Sequence, residues 1–227
     1  MQSAQDITYL DWAATAPLCS EAYEAMKPYF QVGLDGFLTG MGNANSLYEI
    51  GRVAFRALEQ ARETVARSIG ARPDEIIFTS GATEADNAAL FGIVDACMMK
   101  AEQSGDHECV PQVIVSSIEH EAVLEAADVL GRWGAQITYV EPDTSGHITP
   151  EALREVMTDR VMLVSIMAVN NEVGSIMDIP ALSKVVHEAG ALFHVDATQA
   201  MGKVPLSVKA WGVDALSLSS HKIGGPK

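Results

Sequence analysis

Basic residues are scarce in this chain: Lys and Arg number 15 against 30 Asp and Glu over 227 residues, a formal net charge of −15. Such a balance repels phosphate backbones and anionic lipid, so nucleic acid is not an expected partner. Long hydrophobic runs are missing too. The longest stretches, such as Val161 to Val169, stop far short of the roughly 20 residues a membrane-spanning helix needs, and no basic, apolar leader opens the sequence. A soluble, cytoplasmic protein with no membrane partner is the expectation. Cysteine is limited to Cys19, Cys97 and Cys109, widely spaced, without a C-x-x-C pair or a His-rich metal spacing. That argues against a disulfide framework and against a bound metal, and each thiol reads as a small, buried or half-buried hydrophobe. Internal repeats and low-complexity linkers are also absent.

Two nucleotide motifs fail on inspection. The glycine- and asparagine-rich stretch Thr39 to Ser46 reads as an irregular loop, but Asn45 stands where the third glycine of a dinucleotide fingerprint belongs. Gly202-Lys203 is followed by Val204 rather than the Ser or Thr of a phosphate loop.

What is present is a core. Hydrophobic residues make up 48 % of the chain, and a chain of this length buries roughly 70 % of its unfolded surface. From residue 76 onward short β-rich runs alternate with stretches of helical period, which predicts βαβ units and a mainly parallel sheet in an α/β fold. The strand candidates are 76–79, 113–116, 136–140, 161–166, 192–195 and 215–218; most are continuous apolar runs, as strands covered on both faces require. Helices are expected over 83–99, 121–132, 150–157 and 180–189, the last two opening on proline, which suits a first helical turn. Before them, 21–30 and 46–69 read as helices, the second closed by Gly70.

In an open α/β sheet ligands bind outside the carboxyl ends of the strands, so the residues that follow each strand matter most. Ser80-Gly81-Ala82-Thr83-Glu84 is a small-residue turn into a helix, whose free N–H groups favour an anion such as phosphate. His120 stands at the mouth of the next helix, and Asn170-Asn171-Glu172-Val173-Gly174 follows the fourth run. Asp196 ends an apolar strand where an unpaired carboxylate is costly, and so demands a cationic partner. Ser219-Ser220-His221-Lys222 then leads into a glycine turn. Taken singly, each reads as an ordinary cap, turn or surface residue. Together they fit pyridoxal 5′-phosphate, which needs an anion site, a lysine amine for a Schiff base and an acidic group to keep its ring nitrogen protonated. His120 would stack on the ring.

At these residues the chain resembles the cysteine desulfurases of the class V aminotransferase group, within the fold-type I pyridoxal-phosphate enzymes. The likeness runs through Tyr9-Leu10-Asp11 with Ala13-Ala14-Thr15-Ala16-Pro17, Phe78-Thr79-Ser80-Gly81-Ala82-Thr83-Glu84-Ala85, Glu119-His120, Asn170-Asn171-Glu172-Val173-Gly174, His194-Val195-Asp196-Ala197 with Gln199, and Ser219-Ser220-His221-Lys222. It implies a three-layer α/β/α large domain over 21–227 after an N-terminal segment of 1–20. It also implies Lys222 as the Schiff-base lysine and acid–base group, Asp196 on the pyridinium nitrogen, and His120 on the ring face. Asn171 and Gln199 would lie around the 3′-oxygen, and Ala82, Thr83, Ser219 and His221 on the phosphate. The implied reaction takes L-cysteine to L-alanine and leaves the sulfur on an enzyme cysteine as a persulfide. A homodimer and a sulfur-acceptor or iron–sulfur scaffold protein are the implied partners.

The family's persulfide cysteine and its substrate-carboxylate arginine lie beyond the Schiff-base lysine, in a C-terminal domain that these 227 residues lack. Cys19, Cys97 and Cys109 match that cysteine neither in position nor in motif. A fragment of a longer desulfurase is therefore the expectation. A selenocysteine lyase, another class V lyase or aminotransferase, and a non-catalytic cofactor-binding homologue are the alternatives.

Overall fold

Strands that are apolar on both faces must be covered on both, and the sheet is built that way. The computed structural model describes residues 8–31, 33–34, 40 and 42–227; residues 1–7 of the N-terminal segment, and Thr39 and Met41 of the glycine-rich loop, lie outside them. The chain divides into two units, Thr79–Ser219 and Met1–Phe78 with Ser220–Lys227.

The first of these units holds five strands: β1 (Gln112–Ser116), β2 (Gln136–Val140), β3 (Val161–Ser165), β4 (Leu192–Asp196) and β5 (Ala215–Ser217). All neighbours pair in parallel, in the order β2-β1-β3-β4-β5. Helices α3 (Ala82–Gln103) and α4 (Glu121–Arg132) pack on one face, and α5 (Pro150–Val156) and α6 (Ile179–Glu188), with the short α7 (Val208–Trp211), on the other. This is the expected three-layer α/β/α arrangement.

Side-chain alternation along each strand sorts the core into two layers. Val113, Val115 and Leu163 join Leu90, Val123 and Leu130 under α3 and α4. Ile114, Val164, Phe193 and Val195 join Leu182 and Val186 under α6. On β4 the alternation sets Phe193 and Val195 into the second layer and turns His194 and Asp196 towards α3, so a polar strip lies inside an otherwise apolar sandwich.

Helix starts follow their caps. His120, Thr149 and Asp178 accept the N–H groups of Ala122, Ala152 and Ala181, and Pro150 and Pro180 fill the first turns of α5 and α6.

The second unit contains α1 (Ser20–Met26), a 3-10 turn over Lys27–Phe30, and the amphipathic α2 (Glu49–Ile69), which ends at Gly70 in the left-handed conformation. Helix 21–30 is thus broken, because Pro28 has no N–H to continue an α ladder. Helix α2 begins at Glu49, not Ser46, since the Ser46 N–H turns back to the Asn43 carbonyl. The loop before it is close-packed: a Cβ on Gly51 would stand 2.6 Å from the Asn43 carbonyl oxygen. The run 76–79 forms no strand. Ile77 is 84 % exposed, and the Ile76 carbonyl accepts from the Arg62 side chain instead of a ladder partner.

Candidate active site

Asp196 closes β4 with its carboxyl buried, and its Oδ1 accepts the Thr198 N–H at 2.8 Å. Two residues earlier on the same face, His194 is wholly buried between two hydroxyls. Its Nδ1 is 2.9 Å from Ser165 Oγ on β3, and its Nε2 is 2.9 Å from Ser217 Oγ on β5. From α3, Asp86 brings a third polar group to this strip. Its Oδ1 lies 3.6 Å from His194 Nε2, both residues have no measurable exposure, and neither Asp86 oxygen has a hydrogen-bond partner.

Burial sets the charge states here. Desolvation, and then the negative charge of Asp196, push the Asp86 carboxyl up to about 7, with the nearby Ser217 hydroxyl offsetting part of the rise. Desolvation pushes His194 down to about 4. Below about pH 7 and above about pH 4 aspartate and histidine therefore meet as neutral groups, not as an ion pair, despite their spacing.

Glu119, in the turn after β1, belongs to the same cluster. One oxygen accepts the Ser116 hydroxyl and, at 2.7 Å, the Met167 N–H, while Oε2 is buried without a partner. Burial pushes it up to about 8, against those two hydrogen bonds, with Asp196 and Asp86 adding repulsion. Among the described residues no group of three or more His, Cys, Asp or Glu side chains is placed to hold a metal ion.

Beside this cluster opens a cavity of about 720 Å³, lined by Glu119, His120, Asn170, Asn171 and Glu172 among others. His120 both caps α4 and faces the cavity: its Nδ1 accepts the Ala122 N–H at 3.1 Å, which leaves the proton of the neutral ring on Nε2. The paired asparagines divide their work. Asn170 is buried and pins the loop, donating to the Ile118 carbonyl and accepting the Glu172 and Val173 N–H groups, each at 2.9 Å. Asn171 is half-buried, and its amide donates to Glu172 at 3.2 Å.

One turn before Asp86 lies the start of α3, where Gly81 offers no side-chain cap and Ala82 and Thr83 occupy the first turn. The Glu84 carboxylate reaches back to the Ser80 N–H at 2.6 Å. Gln199 and Ser219 are both buried, and Gln199 accepts from Lys203.

His221 and Lys222 belong to the other unit, on a short 3-10 turn. The Lys222 amine donates to the carbonyls of Ala13 at 2.7 Å and Ala14 at 2.8 Å. His221 Nδ1 is 3.0 Å from Thr15 Oγ1, and the Ala16 N–H donates to the His221 carbonyl at 2.8 Å. The Ala13-Ala14-Thr15-Ala16 motif is thus the seat of the lysine turn. Beyond it, Gly225 admits no side chain, because a Cβ there would stand 2.9 Å from the Ser220 carbonyl oxygen.

Sequence reasoning missed Asp86, Glu119 and the neutral histidine between its two serines. A signal existed: His194 and Asp196 alternate on a strand that is otherwise apolar, so the helix over that face had to carry something polar.

The fold defines a class, and the comparisons agree with it. The Aminotransferase class-V family matches residues 8–227, and the chain belongs to that family. It is 44 % identical over 219 residues to the cysteine desulfurase IscS of Dictyoglomus turgidum, covering 96 % of this chain and 52 % of that protein. It is 42 % identical to the cysteine desulfurase IscS of Methanosarcina thermophila, covering 96 % and 50 %. Among solved structures it is similar to a NifS-like protein (TM-score 0.86, 36 % identity, 97 % of this chain and 56 % of that one). SspA in complex with cysteine is also similar (TM-score 0.86, 34 % identity, 97 % and 59 %). The chain spans about half the length of the curated relatives it matches.

Proposed function

We propose that this chain is the cofactor-binding part of a pyridoxal-phosphate-dependent cysteine desulfurase. The observation that carries this reading is the buried Asp196 carboxyl at the end of β4, in a unit that also holds the His120–Asn171 cavity and the uncapped start of α3, in a chain whose relatives are cysteine desulfurases along 96 % of its length. The donors suit the cofactor. Ala82 and Thr83 would offer first-turn N–H groups to its phosphate, with Ser219 and His221 as further donors. Asp196 would hold its ring N–H, His120 would lie against its face, and Asn171 and Gln199 would hold its 3′-oxygen.

Bound there, pyridoxal phosphate would supply an electron sink for breaking the carbon–sulfur bond of L-cysteine. Lys222 would carry the cofactor and, once displaced by substrate, move a proton at the substrate α-carbon. Its amine donates to the Ala13 and Ala14 carbonyls, hydrogen bonds it would give up to carry the cofactor. L-Alanine would be one product, and the sulfur would pass to an enzyme thiol as a persulfide.

Two of the three cysteines of this chain are poorly suited to receive that sulfur. Cys19 caps α1, accepting the Ala22 N–H, and burial pushes the Cys97 thiol up. The acceptor thiol is assigned to the part of the relatives that this chain does not span. A homodimer, a cytoplasmic location and an acceptor or iron–sulfur scaffold protein complete the proposal. No helix among the described residues is long and apolar enough to cross a membrane.

An absorbance titration tests the reading. Adding pyridoxal phosphate to the wild-type chain gives a visible Schiff-base band that borohydride removes, and Lys222→Ala gives none. An identical band in both proteins, or none in either, contradicts it.

A further inference from the structure

Asp86 has no part in the roles assigned above, yet it occupies the most protected position of the cluster. Both of its oxygens are buried without a well-formed hydrogen bond, the Ser217 hydroxyl nearby being placed on His194 and only partly offsetting the burial, whereas Asp196, the carboxyl assigned to the cofactor ring, has the Thr198 N–H on Oδ1. A hydrogen-bond donor favours the charged form of a carboxyl, and a bare buried oxygen favours the neutral form. The groups that face Asp86 are known element by element. Asp196 and His194 come from β4, with His194 held between the hydroxyls of Ser165 on β3 and Ser217 on β5. Glu119 comes from the turn after β1 and is itself held neutral by burial near pH 7.

With the imidazole neutral and Glu119 protonated, a second ionised carboxyl beside Asp196 would be a like charge in a desolvated space. Such pairs share one charge. The difference in hydrogen bonding decides which member keeps it.

We propose that Asp86 is a positioning residue that holds a proton beside Asp196, so that the cluster presents its negative charge on the Asp196 carboxylate towards a cationic ring N–H. The proposal rests on the cofactor reading for the identity of that ring, but the proton on Asp86 is a property of the chain alone. Arrival of the cation neutralises Asp196, relieves the repulsion on Asp86, and lets Asp86 release its proton to solvent.

The chain without cofactor is tested first, labelled with carbon-13 at the aspartate side-chain carboxyls and titrated by infrared spectroscopy. The wild type keeps one protonated aspartate at about pH 6 and loses it through about pH 7. Asp86→Asn lacks that band. Asp196→Asn moves its midpoint to lower pH, because the repelling charge is gone, a shift that a merely structural role for Asp86 would not produce. A wild-type spectrum with no protonated aspartate at about pH 6 overturns the proposal, even where the variants fail to fold. So does an unmoved midpoint in a folded Asp196→Asn.

Calorimetry with pyridoxine 5′-phosphate, which has no aldehyde to react with Lys222, then counts protons in buffers of different ionisation heat. Binding near pH 6 releases more protons from the wild type than from Asp86→Asn, because only the part of the rise due to Asp196 is relieved. Equal release from the two proteins overturns the link between the carboxyls. Failure of the wild type to take up either pyridoxine or pyridoxal phosphate overturns the proposed function, while the infrared titration still decides where the proton lies.

Discussion

Glu119 accepts the Met167 N–H and the Ser116 hydroxyl with one oxygen and leaves the other bare in the core. Its carboxyl is pushed up to about 8 in the folded chain, against about 4.3 in an unfolded one. The folded state therefore binds a proton that the unfolded state has lost. The stability this gives is complete below the unfolded value and disappears as pH rises through about 8. At ~1.4 kcal/mol per pH unit per proton, the loss across that interval is at most on the order of 5 kcal/mol. Asp86 acts in the same direction up to about 7. His194, held down to about 4, acts oppositely: its contribution is present above its unfolded value and fades as pH falls towards 4. Urea unfolding of the wild type should thus show a midpoint that falls between about pH 6 and about pH 8.5, and Glu119→Gln should flatten that fall. An equal slope in both proteins would show that Glu119 is ionised in the fold. Residues of this kind are hard to read in sequence. Asp196, His120 and Lys222 stand out because each follows a strand or opens a turn at the ligand-binding edge. Asp86 lies four residues into a helix, where an aspartate ordinarily faces water, and only the polar face of β4 explains its burial.

At the scale of elements, the loop after β3 shows how one side chain presents another. Asn170 spends its amide on the Ile118 carbonyl and its oxygen on two backbone N–H groups, and so fixes the turn that holds Asn171 at the cavity. Asn170→Ala would take that side chain away from three partly buried backbone groups. A loss of about 1–2 kcal/mol in unfolding free energy is expected, together with weaker uptake of pyridoxal phosphate. A change within about 0.5 kcal/mol would mean the turn stands without the side chain. Elements with a strong period and a clear cap are legible in the sequence: α4 spans Glu121–Arg132 as read, and α6 differs by a residue at each end. The run 76–79 is apolar enough for a strand, but strand formation needs a pairing partner and none among the described residues supplies one. Helix α7 has four residues, too few to show a period.

At the scale of the molecule, the net charge of −15 and the cluster of buried carboxyls compound each other. Both make the folded chain less stable as carboxyls ionise, and both favour a cationic group at the end of β4. The chain accounts for about half of the desulfurases it resembles, yet it contains every residue assigned above to holding pyridoxal phosphate. That is the central claim, and it concerns a place of attachment. Its most direct test is to load the wild-type chain with pyridoxal phosphate, reduce it with borohydride, digest it and locate the modified lysine by mass spectrometry. The account predicts the adduct on Lys222, and its loss in Asp196→Ala, where the ring N–H has no carboxylate to meet. Modification spread over surface lysines, or the same yield at Lys222 in both proteins, would contradict it.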